Sequence, residues 1–193
     1  MGLFGRIIVR VLPAMPRFIV GLVAKRYVAG EDLASAVTIM KNLGAKEGCS
    51  FTIDVLGEEI SNMEEAKHFV NEYDRLIDAI VENELEANLS VKPTAFGPLI
   101  DEEKAYANME ALLAKAAEHD IFVRLDMEDH RVTQATIDIV LKMHGKGITN
   151  VGTVLQSRLF RTPDDVRAVC NALGPQADFR LCKGIYLEPE DIA

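Results

Sequence analysis

The sequence lacks several features that would place it in a common functional class at once. Its three cysteines are an odd number with no CxxC spacing, which gives no zinc site and indicates a reducing compartment. No GxGxxG follows the first predicted strand and no GxxxxGKS/T occurs anywhere, so neither a Rossmann nor a P-loop nucleotide site is expected. We find no secretory signal and no run of about 20 clean apolar residues for a membrane span. Together these absences predict a cytoplasmic protein.

The composition is ordinary for a soluble globular protein. The 193 residues suit one domain with a hydrophobic core, and the fractions of hydrophobic (49%) and charged (26%) residues argue against disorder. The formal net charge of −9 does not suit a general nucleic-acid binder, so no nucleic-acid partner is expected.

The charge is distributed unevenly along the chain. Residues 1–30 contain five of the 21 cations and none of the 30 acids, and Pro13 and Pro16 divide this segment into short helical pieces. The mixture of cations with large apolar residues resembles an amphipathic segment that makes peripheral contact with a membrane, here its inner face. An arm packed on the protein's own surface is the simpler interpretation of the same pattern.

Beyond residue 46 the sequence alternates between short apolar strands and amphipathic helices. Strands are predicted at 51–55, 88–92, 121–126, 150–155 and 178–182, and helices between them at about 61–82, 101–119, 131–144 and 162–173. Successive predicted strands begin roughly 28–36 residues apart, which is the size of one βα unit. Helical connections of this kind are right-handed crossovers, which favour one parallel sheet. We therefore divide the chain into an amino-terminal helical arm (1–46) and a βα domain (47–193).

Turn and capping signals predict where individual helices begin and end. The helix that follows residues 1–30 opens at Gly30-Glu31-Asp32 and stops near Gly44. Ser61, followed three residues later by Glu64, is a capping-box pattern for the next helix. The acidic segment 128–131 is more simply a helix start capped by Asp129 than a metal site, so no metal is predicted.

Side-chain alternation gives the sheet one polar face and one apolar face. In the third strand, for example, Arg124 and Asp126 share a face opposite Val123 and Leu125. Polar groups also collect at the carboxyl ends of the strands: Asp54, Lys92, Asp126, Gln156 and Lys183. Charges on an inner face are costly unless they are paired or bind a ligand, so this pattern indicates a site at the mouth of a βα-barrel.

Two strand-end residues carry the clearest chemistry, and each has a structural alternative. Lys92 could bind a carboxylate, form a Schiff base, or be a surface lysine at the end of an edge strand. Asp126 could balance Lys92 or Arg124, act as a base, or form a plain structural ion pair.

The last two strands carry groups suited to a planar ligand. The Gln156 amide could bind the edge of a heterocycle by donating and accepting together. Arg180 and Lys183 could hold an anionic or electron-rich ring, and Gly184 would let the backbone approach closely. Tyr186 could pack on a small substrate or merely cover the barrel rim.

With these residues in place, the chain resembles proline dehydrogenase, a flavin-dependent family with a (βα)8 barrel. The resemblance runs from about Ala24 to Glu188, where VAKRYVAGEDL is similar to the helical arm of the monofunctional bacterial form. Successive strand motifs match in order: FTIDVLGE, LSVKPTAFG, RLDMEDHRV, VGTVLQSRLFRT and RLCKGIY. Five ordered motifs are a specific signal, and they imply a partial TIM-type barrel of about five parallel strands.

The resemblance implies a cofactor, a reaction and a role for each site residue. FAD would bind at the barrel mouth, L-proline would transfer a hydride to it to give Δ1-pyrroline-5-carboxylate, and the electrons would pass to a quinone. Lys92 would hold the substrate carboxylate, Asp126 would organise the site, and Tyr186 would line the substrate pocket. The flavin contacts would come from Gln156, Arg180, Cys182, Lys183 and Gly184.

The sequence also departs from the family pattern. Cys182 and Ile185 stand where smaller valine-like and alanine-like residues are expected, and the motifs cover only about five-eighths of the barrel. Open sheet edges would invite self-association or a second polypeptide, although a fragment of a longer protein with little activity of its own is the favoured interpretation. A Schiff-base barrel enzyme and a non-catalytic half-barrel that serves in assembly are the alternatives.

Overall fold

The computed structural model describes residues 16–24, 27–30, 32–57 and 59–193. In these ranges the chain forms an α/β fold around one five-stranded sheet. The strands are β1 (Phe51–Asp54), β2 (Ala87–Val91), β3 (Val123–Leu125), β4 (Val151–Gln156) and β5 (Phe179–Cys182). The helices are α1 (Arg17–Ala24), α2 (Leu33–Glu47), α3 (Met63–Glu82), α4 (Glu102–Glu118), α5 (His130–Gly145) and α6 (Thr162–Leu173). Two short 3-10 helices span Pro93–Phe96 and Gly174–Gln176.

The strand order explains why one face of the sheet is covered by helices and the other is not. Each strand pairs in parallel with the next one in sequence, in the order β1-β2-β3-β4-β5 with no reversal. Crossovers of one handedness that always step in the same direction place their helices on the same face. The opposite face is left to form the inner surface of a barrel, and the predicted fold class is confirmed.

The side-chain alternation predicted for the central strands is confirmed. Leu89, Val91, Val123 and Leu125 point to the helix side, where none of their surface remains exposed. They pack with buried residues of α3, α4 and α5, among them Ile77, Leu113 and Met143. The residues between them in sequence point to the inner face.

Two predicted helix boundaries were wrong. The helix α2 continues past Gly44 to Glu47 and ends at Gly48, whose φ of +64° gives the left-handed residue that closes a helix. The cap of α3 is Asn62 rather than Ser61, since its side chain accepts from the amides of Glu64 and Glu65. Glu65 in turn accepts from the Ser61 amide, so the capping interaction lies one residue further along than predicted.

Other boundary predictions were confirmed. Asp129 caps α5, accepting a hydrogen bond from the Arg131 amide. The helix α6 spans Thr162–Leu173 as predicted, with Pro163 in its first turn and Gly174 directly after it.

Most of the amino-terminal segment predicted to be amphipathic lies outside the described residues. This applies to residues 1–15, 25 and 26, while Arg17–Ala24 forms a helix. Among the described residues, no helix combines the length and apolar character needed to cross a membrane.

Candidate active site at the carboxyl ends of the strands

The carboxyl ends of β2, β3, β4 and β5 surround one cavity of about 420 Å³. The eight residues that the sequence assigns to catalysis or flavin binding all line it: Lys92, Asp126, Gln156, Arg180, Cys182, Lys183, Gly184 and Tyr186. Asp54, the remaining strand-end group, is not among the lining residues. They come from four separate stretches of the chain, and the parallel sheet brings them to one rim. Their individual roles stay predictions.

Lys92 lies directly after β2 and is held by the neighbouring strand. Its Nζ lies 2.8 Å from the Asp54 Oδ2 atom at the end of β1, and the two side chains are 17% and 31% exposed. Because both side chains are partly buried, salt screens this pair less than it screens a fully exposed ion pair. Carboxylate binding and Schiff-base formation by Lys92 both stay predictions.

Asp126 connects three strands through its carboxylate. The Ser90 hydroxyl on β2 donates to Oδ2 at 2.8 Å, and the Arg180 guanidinium on β5 donates to Oδ1 at 3.2 Å. The Arg180 side chain is 59% exposed, so this pair contributes little to stability but restricts where the guanidinium lies. Asp126 is therefore placed to orient Arg180 over the cavity.

Arg124 shares the inner face with Asp126 but belongs to a deeper layer. It forms an ion pair with Asp178 at 2.6 Å, donates to the Thr153 carbonyl, and lies 4.8 Å from the centre of the Phe122 ring. The absence of a side chain at Gly152 makes room for it, because a Cβ there would lie 2.8 Å from the guanidinium. Arg124 thus fills the barrel interior below the cavity, and Asp126 pairs with Arg180.

Tyr73 is a contributor that the sequence analysis missed. It lies on the apolar face of α3 and is 1% exposed, yet its hydroxyl reaches the strand ends. There it lies 2.8 Å from the Ser90 carbonyl and 3.2 Å from Asp54 Oδ1, and it accepts from the Val55 amide. Burial raises the pKa of Tyr73 far above its usual range, so the hydroxyl stays protonated as a donor. The only signal in the sequence is a tyrosine in an apolar stripe, where a buried hydroxyl must find partners.

Gln156 at the end of β4 has a fixed orientation and a spare acceptor. Its Nε2 atom donates to the carbonyls of Met127 and Glu128, at 3.1 and 2.7 Å, which uses both amide hydrogens. The amide oxygen is buried without a partner among the described residues. An unsatisfied buried acceptor is costly, so this atom indicates a ligand that donates a hydrogen bond.

Gly184 packs against the unpaired Gln156 oxygen, and its backbone has a positive φ, a conformation that favours glycine. Its φ is +96°, and a Cβ at this position would lie 2.7 Å from the Gln156 Oε1 atom. Any other residue would displace the amide.

Glu128, predicted only as part of an acidic helix start, is a buried member of the rim. The residue is 4% exposed, and its carboxylate accepts from the amide and the hydroxyl of Thr94, at 2.8 and 2.5 Å. This contact fixes the turn after Lys92 to the turn after β3. Hydropathy gives no sign of it, because the partners are 34 residues apart.

Comparison with known proteins assigns this chain to a family. Residues 38–193 match the sequence model of the family described as proline dehydrogenase. The chain belongs to the proline dehydrogenase family. It is 35% identical over 170 residues to proline dehydrogenase 1 of Bacillus subtilis (strain 168) and 35% identical over 174 residues to proline dehydrogenase of Deinococcus radiodurans.

The match to these dehydrogenases covers most of this chain but only part of theirs. In both cases it includes 88% of this chain and 55% of the relative, so the chain spans about half their length. Proline utilization A (PutA) of Bdellovibrio bacteriovorus is similar in structure, with a TM-score of 0.73 and 25% identity over 84% of this chain and 20% of that protein. PutA of Bradyrhizobium japonicum, at 21% identity and a TM-score of 0.64, shows the same fold.

Proposed function

We propose that this chain carries the flavin and substrate-carboxylate sites of an FAD-dependent enzyme that oxidises L-proline to Δ1-pyrroline-5-carboxylate. The observation that carries the proposal is the convergence of Lys92, Asp126, Gln156 and Arg180 on one cavity. Membership of the proline dehydrogenase family supports the choice of substrate. Because the chain spans about half of its relatives, we propose that steady-state turnover by these 193 residues alone is low.

The residues around the cavity fit a flavin. The buried Gln156 oxygen, which has no partner among the described residues, suits a ring N–H. Gly184 lines the same cavity, and its missing side chain leaves room for that oxygen and for the Arg158 stem, which a Cβ would meet at 2.7 and 2.8 Å. Arg180 and Lys183 line the same cavity and would stabilise negative charge on a reduced ring. We propose that Gln156, Gly184, Arg180 and Lys183, with Cys182 beside them, hold the flavin.

When bound, FAD supplies the hydride acceptor for proline oxidation. The chain's own residues bind and orient the reactants. Lys92, held by Asp54, binds the substrate carboxylate, and Asp126 fixes the Arg180 guanidinium beside the ring. Tyr186 lines the cavity and would pack its ring on the pyrrolidine, excluding water from that side.

Electrons would pass from the flavin to a quinone, which is a membrane-soluble acceptor. We propose that residues 1–30, with their five cations and no acids, bring the protein to an anionic membrane surface. Co-sedimentation with vesicles that contain anionic lipid tests this: binding that weakens as salt rises is expected, and no binding at low salt contradicts it.

Single-turnover flavin reduction tests the main proposal. The purified chain is titrated with FAD, followed by flavin fluorescence, and L-proline is then added without oxygen while the flavin absorbance is recorded. We expect bound flavin that bleaches on addition of proline. A chain that binds no FAD contradicts the proposed cofactor site, and bound flavin that stays oxidised in excess proline contradicts the proposed reaction.

A matched pair of variants separates the site from general charge effects. Arg180→Met removes the guanidinium at the cavity, whereas Arg167→Met makes the same change on α6, where Arg167 is 70% exposed and pairs with Asp164. We expect Arg180→Met alone to weaken FAD binding. Equal effects of the two substitutions would argue against a specific role for Arg180.

A second candidate function, assembly through the sheet edges, is favoured by apolar residues exposed on and after β5. Leu181, Ile185 and Leu187 are 58%, 85% and 96% exposed. Light scattering combined with an absorbance scan distinguishes the two candidates, because a yellow monomer contradicts assembly and a colourless oligomer contradicts flavin chemistry.

A further inference from the structure

The cavity wall that follows β5 has no secondary structure of its own. We call residues 183–188 the rim segment; four of its members line the cavity, namely Lys183, Gly184, Ile185 and Tyr186. The rim segment belongs to no helix or strand. Its conformation therefore depends on contacts with other parts of the chain, and the position of Tyr186 depends on them too.

Arg158, in the turn after β4, contacts the rim segment in three ways. Its backbone amide donates to the Lys183 carbonyl at 3.1 Å, and its guanidinium Nη1 donates to the Tyr186 carbonyl at 2.7 Å. Its Cγ and Cδ atoms pack on Gly184, where a Cβ would come within 2.8 Å of both. Arg158 thus contacts the rim segment at three residues: Lys183, Gly184 and Tyr186.

Glu188 anchors the far end of the rim segment at the start of α5. None of its side chain is exposed. One carboxylate oxygen accepts from the His130 backbone amide at 3.1 Å, and the other lies 2.5 Å from the His130 Nδ1 atom. A carboxylate at a helix amino terminus is favoured by the helix dipole, so this end is fixed independently of Arg158.

The Tyr186 carbonyl lies between these two anchors, and the Arg158 guanidinium donates to it. We propose that Arg158 is a positioning residue that sets the place of the Tyr186 ring in the cavity by binding the Tyr186 carbonyl. The role deepens the proposed function, since it is through Tyr186 that Arg158 would act on the substrate. The placement itself is a property of the chain without any ligand.

A tryptophan reporter makes the placement measurable, because the chain contains no tryptophan. The substitution Tyr186→Trp places the chain's one tryptophan on the rim segment. In that background Arg158→Met keeps most of the stem that packs on Gly184 and removes the donors. Arg158→Lys restores one donor, and Arg167→Met is the matched control on the exposed surface of α6.

Loss of one hydrogen bond from a charged donor should raise the equilibrium constant for release of the rim segment about tenfold. We expect Arg158→Met to shift tryptophan emission to longer wavelength and to increase quenching by acrylamide. Arg158→Lys should return both readings part of the way to the parent, and Arg167→Met should leave them unchanged. These measurements use neither FAD nor proline.

Hydrogen exchange gives a second measurement on the same proteins. The Arg158 amide donates to the carbonyl of Lys183, the first residue of the rim segment, so its exchange reports release of that segment. We expect it to be about ten times faster in the methionine variant. Should that variant fail to fold, the lysine variant is measured instead and should lie between the parent and full release.

Emission, quenching and exchange that match the parent in both Arg158 variants would overturn the proposal, as would an equal change in the Arg167 control. The parent chain and the same Arg158 and Arg167 substitutions, all with Tyr186 retained, are titrated with FAD and proline in parallel. A chain whose rim segment responds as expected but whose flavin stays oxidised retains the positioning role and loses the proposed reaction. An unresponsive rim segment with a bleaching flavin supports the proposed reaction and overturns the positioning role.

Discussion

The two faces of the sheet follow different rules although they are built from alternating residues of the same strands. On the helix side, Leu125 and its neighbours are completely buried among apolar side chains from three helices. On the inner side, the next residue, Asp126, takes hydrogen bonds from two other strands and lines the cavity. One residue along the chain separates a position that stabilises the fold from one that shapes the site.

The difference shows where this fold can carry chemistry. An apolar face gains free energy for every side chain it buries, whereas charges gain little and are costly to desolvate unless they are paired. The charges of the inner face therefore need partners. Asp54 pairs with Lys92, and Asp126 accepts from Ser90 and Arg180, so these contacts involve the ends of β1, β2, β3 and β5. Such a network is poor at stabilising the sheet and well suited to orienting a ligand.

The comparison is tested most strongly by removing a side chain from the helix face. Leu125→Ala should lower the free energy of unfolding by about 2–5 kcal/mol, because it leaves a cavity in a close-packed core. Urea denaturation measures the change. Leu56→Ala, at a position 90% exposed, is the control and should change the value by less than about 0.5 kcal/mol. A loss below about 1 kcal/mol for Leu125→Ala would contradict the assigned packing.

The neighbouring residue on the inner face should give the reverse result. Asp126→Asn keeps the shape but removes the charge that orients Arg180, so flavin reduction by proline should slow by roughly ten- to hundredfold, the effect of one charge-assisted hydrogen bond. Stability should fall by less than about 1 kcal/mol, since the Arg180 partner is exposed. Stopped-flow flavin absorbance and urea denaturation measure the two quantities.

Asp164→Asn is the control for the inner-face substitution, because Asp164 is 85% exposed on α6. It should change neither the rate nor the stability. If Asp126→Asn destabilises the protein as much as Leu125→Ala does, the distinction between the two faces does not hold.

Tyr73 contacts both faces of the sheet, because its ring lies in the core on the helix side and its hydroxyl reaches the strand ends. Tyr73→Phe leaves the Val55 amide and the Ser90 carbonyl short of a partner, so the free energy of unfolding should fall by about 1–2 kcal/mol. Tyr27→Phe, where the side chain is 83% exposed, should have no effect. No loss for Tyr73→Phe would show that water replaces the hydroxyl and that the helix face and the rim are not coupled through it.

A smaller effect is expected where the chain leaves the rim and enters α3. Asn62→Ala removes the cap that accepts from two amides, and should cost about 0.5–1 kcal/mol. Ser61→Ala, the residue favoured by the sequence pattern, should cost less. Thermal unfolding of the two variants decides between them, and a larger loss for Ser61→Ala would restore the predicted cap.

The smallest expected effect is a pH dependence at the rim. Hydrogen bonds from the Arg131 side chain lower the pKa of Asp129 in the folded protein. The stabilisation is therefore fully present above the unfolded pKa of about 3.9 and is lost as the pH falls through the lower folded value. In urea titrations, wild type should exceed Asp129→Asn in stability near neutral pH, and the gap should close in acid. A constant gap across this range would contradict the assigned ion pair.

Much of the fold could be predicted because its signals are local. Apolar alternation gave the five strands to within a few residues, and the match at Thr162–Leu173 rested on a proline and a glycine at its ends. The error at Gly44 has a physical reason, since either of two nearby glycines could close the helix. Only Gly48 adopts the left-handed conformation that does so.

The site residues likewise divide into those that a local sequence signal predicted and those that it did not. Residues at the ends of strands, such as Lys92 and Gln156, were found because parallel strands must deliver them to one edge. The sequence analysis did not identify Tyr73, Glu128 or Arg158 as site residues. Each binds a partner that is 17 to 34 residues away along the chain. Within its own segment, Tyr73 resembles a core residue, Glu128 part of a helix start and Arg158 a surface residue.

The sequence by itself determined the parallel sheet, its polar and apolar faces, and the strand ends that carry the charged groups, since strand periodicity assigns every side chain to a face. Only the tertiary structure decided which polar groups meet: Asp126 with Arg180 rather than Arg124, and Gln156 with an oxygen left unpaired. Hydrogen bonds depend on distances of a few tenths of an ångström between distant segments, and packing sets those distances.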